Sequence, residues 1–127
     1  MIVNIAPASI ALFPWVAAYN GTVDVVYYGS ANGLSNNTPT AVWNVYLAQT
    51  TDGGASFKQS AVSNTSNHTG AICTGGVSCD AGTRNLLDLF EVAIDPQNGK
   101  AAVIYTDDKL TTFMGEPLPQ IVLAQQK

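Results

Sequence analysis

The chain has 127 residues, enough for one small domain with a core of its own. Only 11% of them are charged and the formal net charge is -4; the five Lys and Arg are scattered, which excludes the clustered cations that grip a nucleic-acid backbone. No apolar run approaches the roughly 20 residues of a membrane-spanning helix, and no residue pattern calls for a cofactor.

The start, "MIVNIAPASIALFPW", has no basic n-region and no clear cleavage site, so it does not read as a signal peptide. Beyond it, period-2 alternation dominates and helical periodicity is absent. In "VDVVYYG" Val23, Val25 and Tyr27 share one face, and in "WNVYLAQ" Trp43, Val45 and Leu47 do. The same holds for Phe90, Val92 and Ile94 in "FEVAID", and for Ala101, Val103 and Tyr105 in "AAVIYTDD". The last run, "QIVLAQ", offers Ile121 and Leu123. β-Branched and aromatic residues fill these runs, as strands prefer. Asn20-Gly21, Gly53-Gly54 and Asn98-Gly99 separate them with turn chemistry. The only helix-like stretch, "RNLLDLF", is one or two turns long.

The strands repeat. "WVAAYNGTVDVVYY" parallels "EVAIDPQNGKAAVIYT", "VYLAQ" parallels "IVLAQ", and "FKQSAVSN" has a faint echo in "IVNIAPAS". The period is roughly 77 residues. Labelled within one unit, the strands run fourth, first, second, third, and then the same again. Antiparallel units in series are the pattern of a β-propeller; a β-sandwich is the alternative all-β reading, and the internal repeat favours the propeller. The expected organisation is an orphan fourth strand over 1–6 and a first blade over 13–63. A connecting loop over 64–89 and a second blade over 90–127, without its fourth strand, complete it.

Cys73 and Cys79 in "CTGGVSC" read as a short disulfide loop or as two free thiols. Zinc would need four ligands, and His68, the only histidine, leaves that set one short without a carboxylate. Sequons at Asn20, Asn36, Asn64 and Asn67, with the cysteine pair, favour a secreted or cell-surface protein whose used asparagines lie on exposed loops.

"TTDGGASF", Thr50 to Phe57, fits the Asp-box pattern Ser/Thr-x-Asp-x-Gly-x-x-Trp/Phe at every fixed position. The chain thereby resembles the sialidase-type propellers with bacterial neuraminidase repeats, in which the box turns the third strand of a blade into the fourth. The local physics agrees: Asp52 can accept backbone amides of the turn, Gly54 can take a positive φ, and Phe57 re-enters the core. The alternating oxygen ligands of a calcium loop are missing, so Thr50, Asp52, Gly54 and Phe57 read as structural.

The resemblance also implies a chemistry to look for. Such enzymes use a tyrosine nucleophile activated by a glutamate, an aspartate as acid/base and three arginines around the substrate carboxylate. The candidates here are Tyr105, Glu91, Asp107 and Asp108 as catalytic residues and Arg84 as substrate-binding residue. Arg84 is the only arginine, so the three-arginine clamp cannot be built from one copy, and the Phe/Tyr-Arg-Ile-Pro motif of the family is absent. Duller readings stand beside these: Arg84 tying a loop through Asn85 and Asp88, Glu91 solvated, Tyr105 in the core, Asp107-Asp108 in a turn. Trp15, Trp43, Tyr19, Tyr28 and Tyr46 could stack on sugars, although Trp15 and Trp43 fit the core better.

Two blades do not close a ring, because each blade buries its faces against neighbours. Pairing residues 1–6 of one chain with the last blade of another would complete every blade, and three chains would give about six blades, the number in that family. The expected partner is therefore a second copy, in a homotrimer or an open filament, with a glycan as a further partner.

Overall fold

The computed structural model describes residues 1–86 and 90–127. It is all-β, with antiparallel sheets that stay open. The first sheet is a meander of β1 (Ala11–Tyr19), β2 (Thr22–Ser30), β3 (Val42–Thr50) and β4 (Lys58–Ala61), in that order; the short β5 (His68–Thr69) pairs with the start of β3. The second sheet is built from β6 (Glu91–Ile94), β7 (Ala101–Asp107) and β10 (Gln120–Gln125), with β7 in the middle. Between β7 and β10, β8 (Thr112–Phe113) and β9 (Glu116–Pro117) form a small ribbon.

Each run of alternating residues becomes a strand, and the turn residues do the connecting. Asn20 and Gly21 both take positive φ, 47° and 83°, the two-residue turn that matches strand twist. Pro14 is tolerated inside β1 because the β1–β2 register shifts between Leu12 and Trp15, a bulge that frees the ladder where proline has no N–H. The helix-like stretch yields no helix over 84–86, and Leu87, Asp88 and Leu89 lie outside the described residues.

The two sheets repeat one another in register. Across β2 and β3, Val26 faces Leu47, Tyr28 faces Val45 and Tyr27 faces Tyr46. Across β7 and β10, Ile104 faces Leu123, Thr106 faces Ile121 and Tyr105 faces Val122. Val16 faces Val25 as Val92 faces Val103. The repeat read from the sequence is thus a repeat of hydrogen-bonded pairs.

The main core lies between the sheets. Val26, Tyr28, Trp43, Val45 and Leu47 of the first pack against Phe90, Val92, Val103 and Tyr105 of the second. Tyr28 stacks on Phe90 with ring centroids 4.6 Å apart. Alternation in the sequence leaves open which face of each strand meets the other sheet, and the packing decides it in two places. Val26 and Tyr28, not Val25 and Tyr27, meet the second sheet, because β2 is buried on both faces. Ile121 and Leu123 point outward, and it is Val122 and Ala124 that pack on the core.

Residues 1–6 form no strand. The segment instead lies over the outer face of the first sheet, where Ala8 is buried with Tyr27, Tyr46 and Ala48, and Val3 packs beside them. The Gln59 side chain accepts the Ile5 N–H at 3.0 Å and donates to the Ile5 carbonyl at 3.1 Å. Gly29 makes this possible: a Cβ there would stand 2.5 Å from the Ala8 Cβ and 2.6 Å from the Tyr46 ring. Gly29→Ala is therefore expected to push residues 1–9 off the sheet at a cost of about 1–3 kcal/mol. Limited proteolysis would show it as faster cleavage within those residues.

Candidate functional site

The carboxylates predicted at the end of β7 meet residues from β5. His68, placed opposite Trp43 by the β3–β5 bridge, is buried and its Nδ1 lies 2.8 Å from Asp108 Oδ2. Asn85 donates to the same oxygen at 3.0 Å. The Asn67 side-chain amide donates to the Thr106 carbonyl at 3.1 Å, and the Asn67 backbone carbonyl accepts the Asp108 N–H at 3.1 Å. The Thr106 N–H donates to the Tyr28 hydroxyl at 3.0 Å. At the outer end Lys109 Nζ donates to Ser66 Oγ at 2.9 Å and Thr69 Oγ1 at 3.1 Å.

These bonds join one sheet to the other: β2 and β5 belong to the first, and the end of β7 to the second. They form a polar seam that continues the apolar core. Burial opposes charge on Asp108, but the hydrogen bonds from His68 and Asn85 outweigh it and hold the carboxyl below its ordinary value. The carboxylate accepts, so His68 carries its proton on Nδ1. Its Nε2 is buried without a partner among the described residues and faces Gly70, where a Cβ would stand 3.5 Å away.

The seam does not assemble a tyrosine–glutamate pair. Glu91 is paired with Ile104 and lies on the exposed face of the second sheet; Tyr105, one residue on, lies on the buried face. Burial, and then Asp107, raise the Tyr105 hydroxyl's pKa, the opposite of an activated nucleophile. Asp107 is buried and accepts the Lys109 N–H at 2.8 Å, a turn contact. Arg84 is exposed, and Asn85, expected beside it, turns to Asp108 instead. A cleft of about 450 Å³ opens between β4 and the ends of β7 and β10, lined by Leu47, Ser60, Val62, Val103, Ala124 and Gln126 among others. None of the catalytic candidates lines it.

The stretch Thr50 to Phe57 forms the hairpin between β3 and β4. Asp52 Oδ1 accepts the Thr50 hydroxyl at 2.6 Å and the Ser56 N–H at 3.0 Å, and Oδ2 accepts the Ser56 hydroxyl at 2.6 Å. The Gly54 N–H donates to Thr50 Oγ1 at 3.1 Å, with Gly54 at φ 89°. Phe57 packs, half-buried, against the Tyr27–Tyr46 cluster. Ser56 occupies a variable position of the pattern, so only geometry identifies its part. The Ser56 hydroxyl, then Thr50, hold the Asp52 carboxyl far below the ordinary aspartate value. Asp52→Ala is expected to lower Tm at pH 7. Because the folded pKa is depressed, the wild-type advantage should shrink as pH falls below the ordinary value of 3.8. Paired melts at pH 7 and at pH 2–3 check both statements.

Cys73 and Cys79 form a disulfide. Among the described residues no cluster of His, Cys, Asp and Glu could hold a metal, and no helix is long and apolar enough to cross a membrane. Of the sequons, Asn20 and Asn64 are exposed and Asn36 is half-buried, its amide donating to the Ile72 carbonyl at 3.1 Å. Asn67 departs from the expected exposed loop: it is buried, and the nitrogen a glycan would need is bonded to Thr106. His68 and Asn67 escaped the sequence reading as seam residues because β5 is two residues long, too short for periodicity to register. No family model matches the chain, and neither does any curated protein or solved structure.

Proposed function

We propose that this chain is a two-blade portion of an Asp-box propeller of the sialidase-like type, working outside the cell or at its surface as a structural module that assembles with copies of itself. The carrying observation is the register-matched pair of consecutive antiparallel meanders, the first closed by the Asp52 hairpin between its third and fourth strands. Neighbours in each meander follow one another along the chain, as in a blade; a Greek-key sandwich would exchange strands between sheets. The disulfide is compatible with an oxidising compartment.

Assembly proceeds head to tail by strand sharing. The outer edge of β10 pairs with no described strand, and residues 1–6, the echo of the β4 sequence, pair with none either. The contact is heterologous, so it ends in a closed trimer or runs on as a filament. Light scattering over a concentration series is expected to give a mass above that of one chain, and deletion of residues 1–6 is expected to return it to the monomer. A wild-type mass of one chain at every concentration would overturn the reading.

Glycan contact is supported by one further observation. Trp15 and Tyr19 share a face of β1 beyond its bulge and are about half exposed, as a sugar-stacking pair needs to be. Retention on a glycan array that Trp15→Ala abolishes is the expected result. Turnover of a fluorogenic sialoside, lost in Glu91→Gln and Tyr105→Phe, would instead favour glycosidase chemistry.

A further inference from the structure

The two sheets share a register but not an environment. In the first, Val26, Val45 and Leu47 are 0%, 0% and 5% exposed, because the second sheet covers them. Their counterparts in the second sheet, Ile104, Ile121 and Leu123, are 44%, 64% and 61% exposed. The reverse holds on the other side of the contact. Val92, which helps cover the first sheet, is 4% exposed, whereas its counterpart Val16 is 60% exposed on the outer face of the first sheet.

The chain therefore carries one sheet-to-sheet contact made internally and the two halves of the same contact unmade at its opposite faces. Exposed clusters of large aliphatic residues cost free energy in water, about 25 cal/mol for each Å² left uncovered. Glu91 is the one charged residue that strand pairing places on the second sheet's outer face, where Ala93, Ala102, Ile104, Ile121 and Leu123 are uncharged.

We infer that the outer face of the second sheet, centred on Ile104, Ile121 and Leu123, receives the outer face of the first sheet of a second copy, centred on Val16, Tyr27 and Tyr46. This deepens the assembly reading above and rests on it. The receiving surface is the register counterpart of one the chain already buries, and the incoming surface is the counterpart of the one that buries it, so the occupant is a copy of this chain.

Residues 1–9 add a control. They cover Tyr27 and Tyr46 through Ala8, Val3 and the Gln59 bonds to Ile5. They must lift before the face can mate, and lifting releases the segment that β10 of the neighbour would take as a strand. One movement uncovers the incoming face and frees its strand.

The test uses two full-length single variants, Leu123→Lys and Val16→Lys, at positions exposed enough for folding to survive, which circular dichroism checks. Each breaks one half of the contact. Each alone is expected to associate at least about tenfold more weakly than wild type, equivalent to about 1.4 kcal/mol. Mixed, they are expected to form a one-to-one dimer and stop there, because the intact receiving face of Val16→Lys meets the intact incoming face of Leu123→Lys. Analytical ultracentrifugation reads the masses. Wild type that never exceeds one chain sinks the assembly reading itself. Wild type that assembles while both variants assemble equally well, or a mixture that stays monomeric, overturns this interface and leaves assembly standing.

Discussion

Asp108→Ala is expected to destabilise the fold by about 2–4 kcal/mol, because each polar group left out of water without its hydrogen-bond partner costs about 1–3 kcal/mol. The carboxylate is almost fully buried and accepts from both His68 and Asn85. Truncation leaves the buried His68 and the half-buried Asn85 without an acceptor at the point where β5 is sewn to the end of β7. Asp108→Asn keeps the shape and one acceptor, so it should cost less. Urea unfolding measures both, and a double-mutant cycle with His68→Ala isolates the pair. A loss below about 0.5 kcal/mol, the range of an exposed pair, would mean that the seam contributes little.

The same residue sets a pH dependence. Asp108 has a folded pKa below its ordinary 3.8, so its contribution is present above that value and is lost as pH falls through the folded one. Asp24 works the other way. Burial raises its carboxyl and the Gln49 hydrogen bond at 2.8 Å offsets this only in part. Its contribution is full below 3.8 and fades as pH rises through the raised value. Asp24→Asn should therefore help near neutrality and lose that advantage in acid, whereas Asp108→Asn should harm near neutrality and become neutral in acid.

Trp43→Ala is the second large effect, expected at about 3–5 kcal/mol for a fully buried aromatic. Trp43 is 0% exposed at the centre of the inter-sheet core, and its Nε1 donates to the Gly70 carbonyl at 3.0 Å. That bond anchors the segment that follows β5, so truncation removes both packing and an anchor. Trp43→Phe keeps most of the packing and drops the donor, which separates the two contributions. Loss of near-UV ellipticity before far-UV in Trp43→Ala would show the sheets parting while each persists.

Much of the fold was legible because a half-buried strand writes itself as alternation. The runs at 23–29, 43–49, 90–95, 101–108 and 120–125 lie on strands, and the Asn-Gly and Gly-Gly pairs fall at turns. The Asp52 turn was legible because its hydrogen bonds all close within a few residues. Where reading failed, the partner was remote. β2 carries apolar residues on both faces, so alternation could not say which face meets the second sheet. "QIVLAQ" offers Ile121 and Leu123 as one apolar face, but only strand pairing with β7 shows that this face is the outer one. The seam joins His68 to Asp108 across 40 residues, and no local pattern announces such a meeting.

The sequence by itself determined the all-β class, the positions of the main strands, the repeat and the Asp52 turn, because each depends on side chains within one strand or one turn. Only the tertiary structure decided which face of each sheet is covered, that Asn67 is sealed rather than displayed, and that residues 1–9 lie as a cover rather than a strand. Those outcomes depend on what packs against what across tens of residues. Period-2 alternation specifies two faces but carries no information about which of them another sheet will occupy.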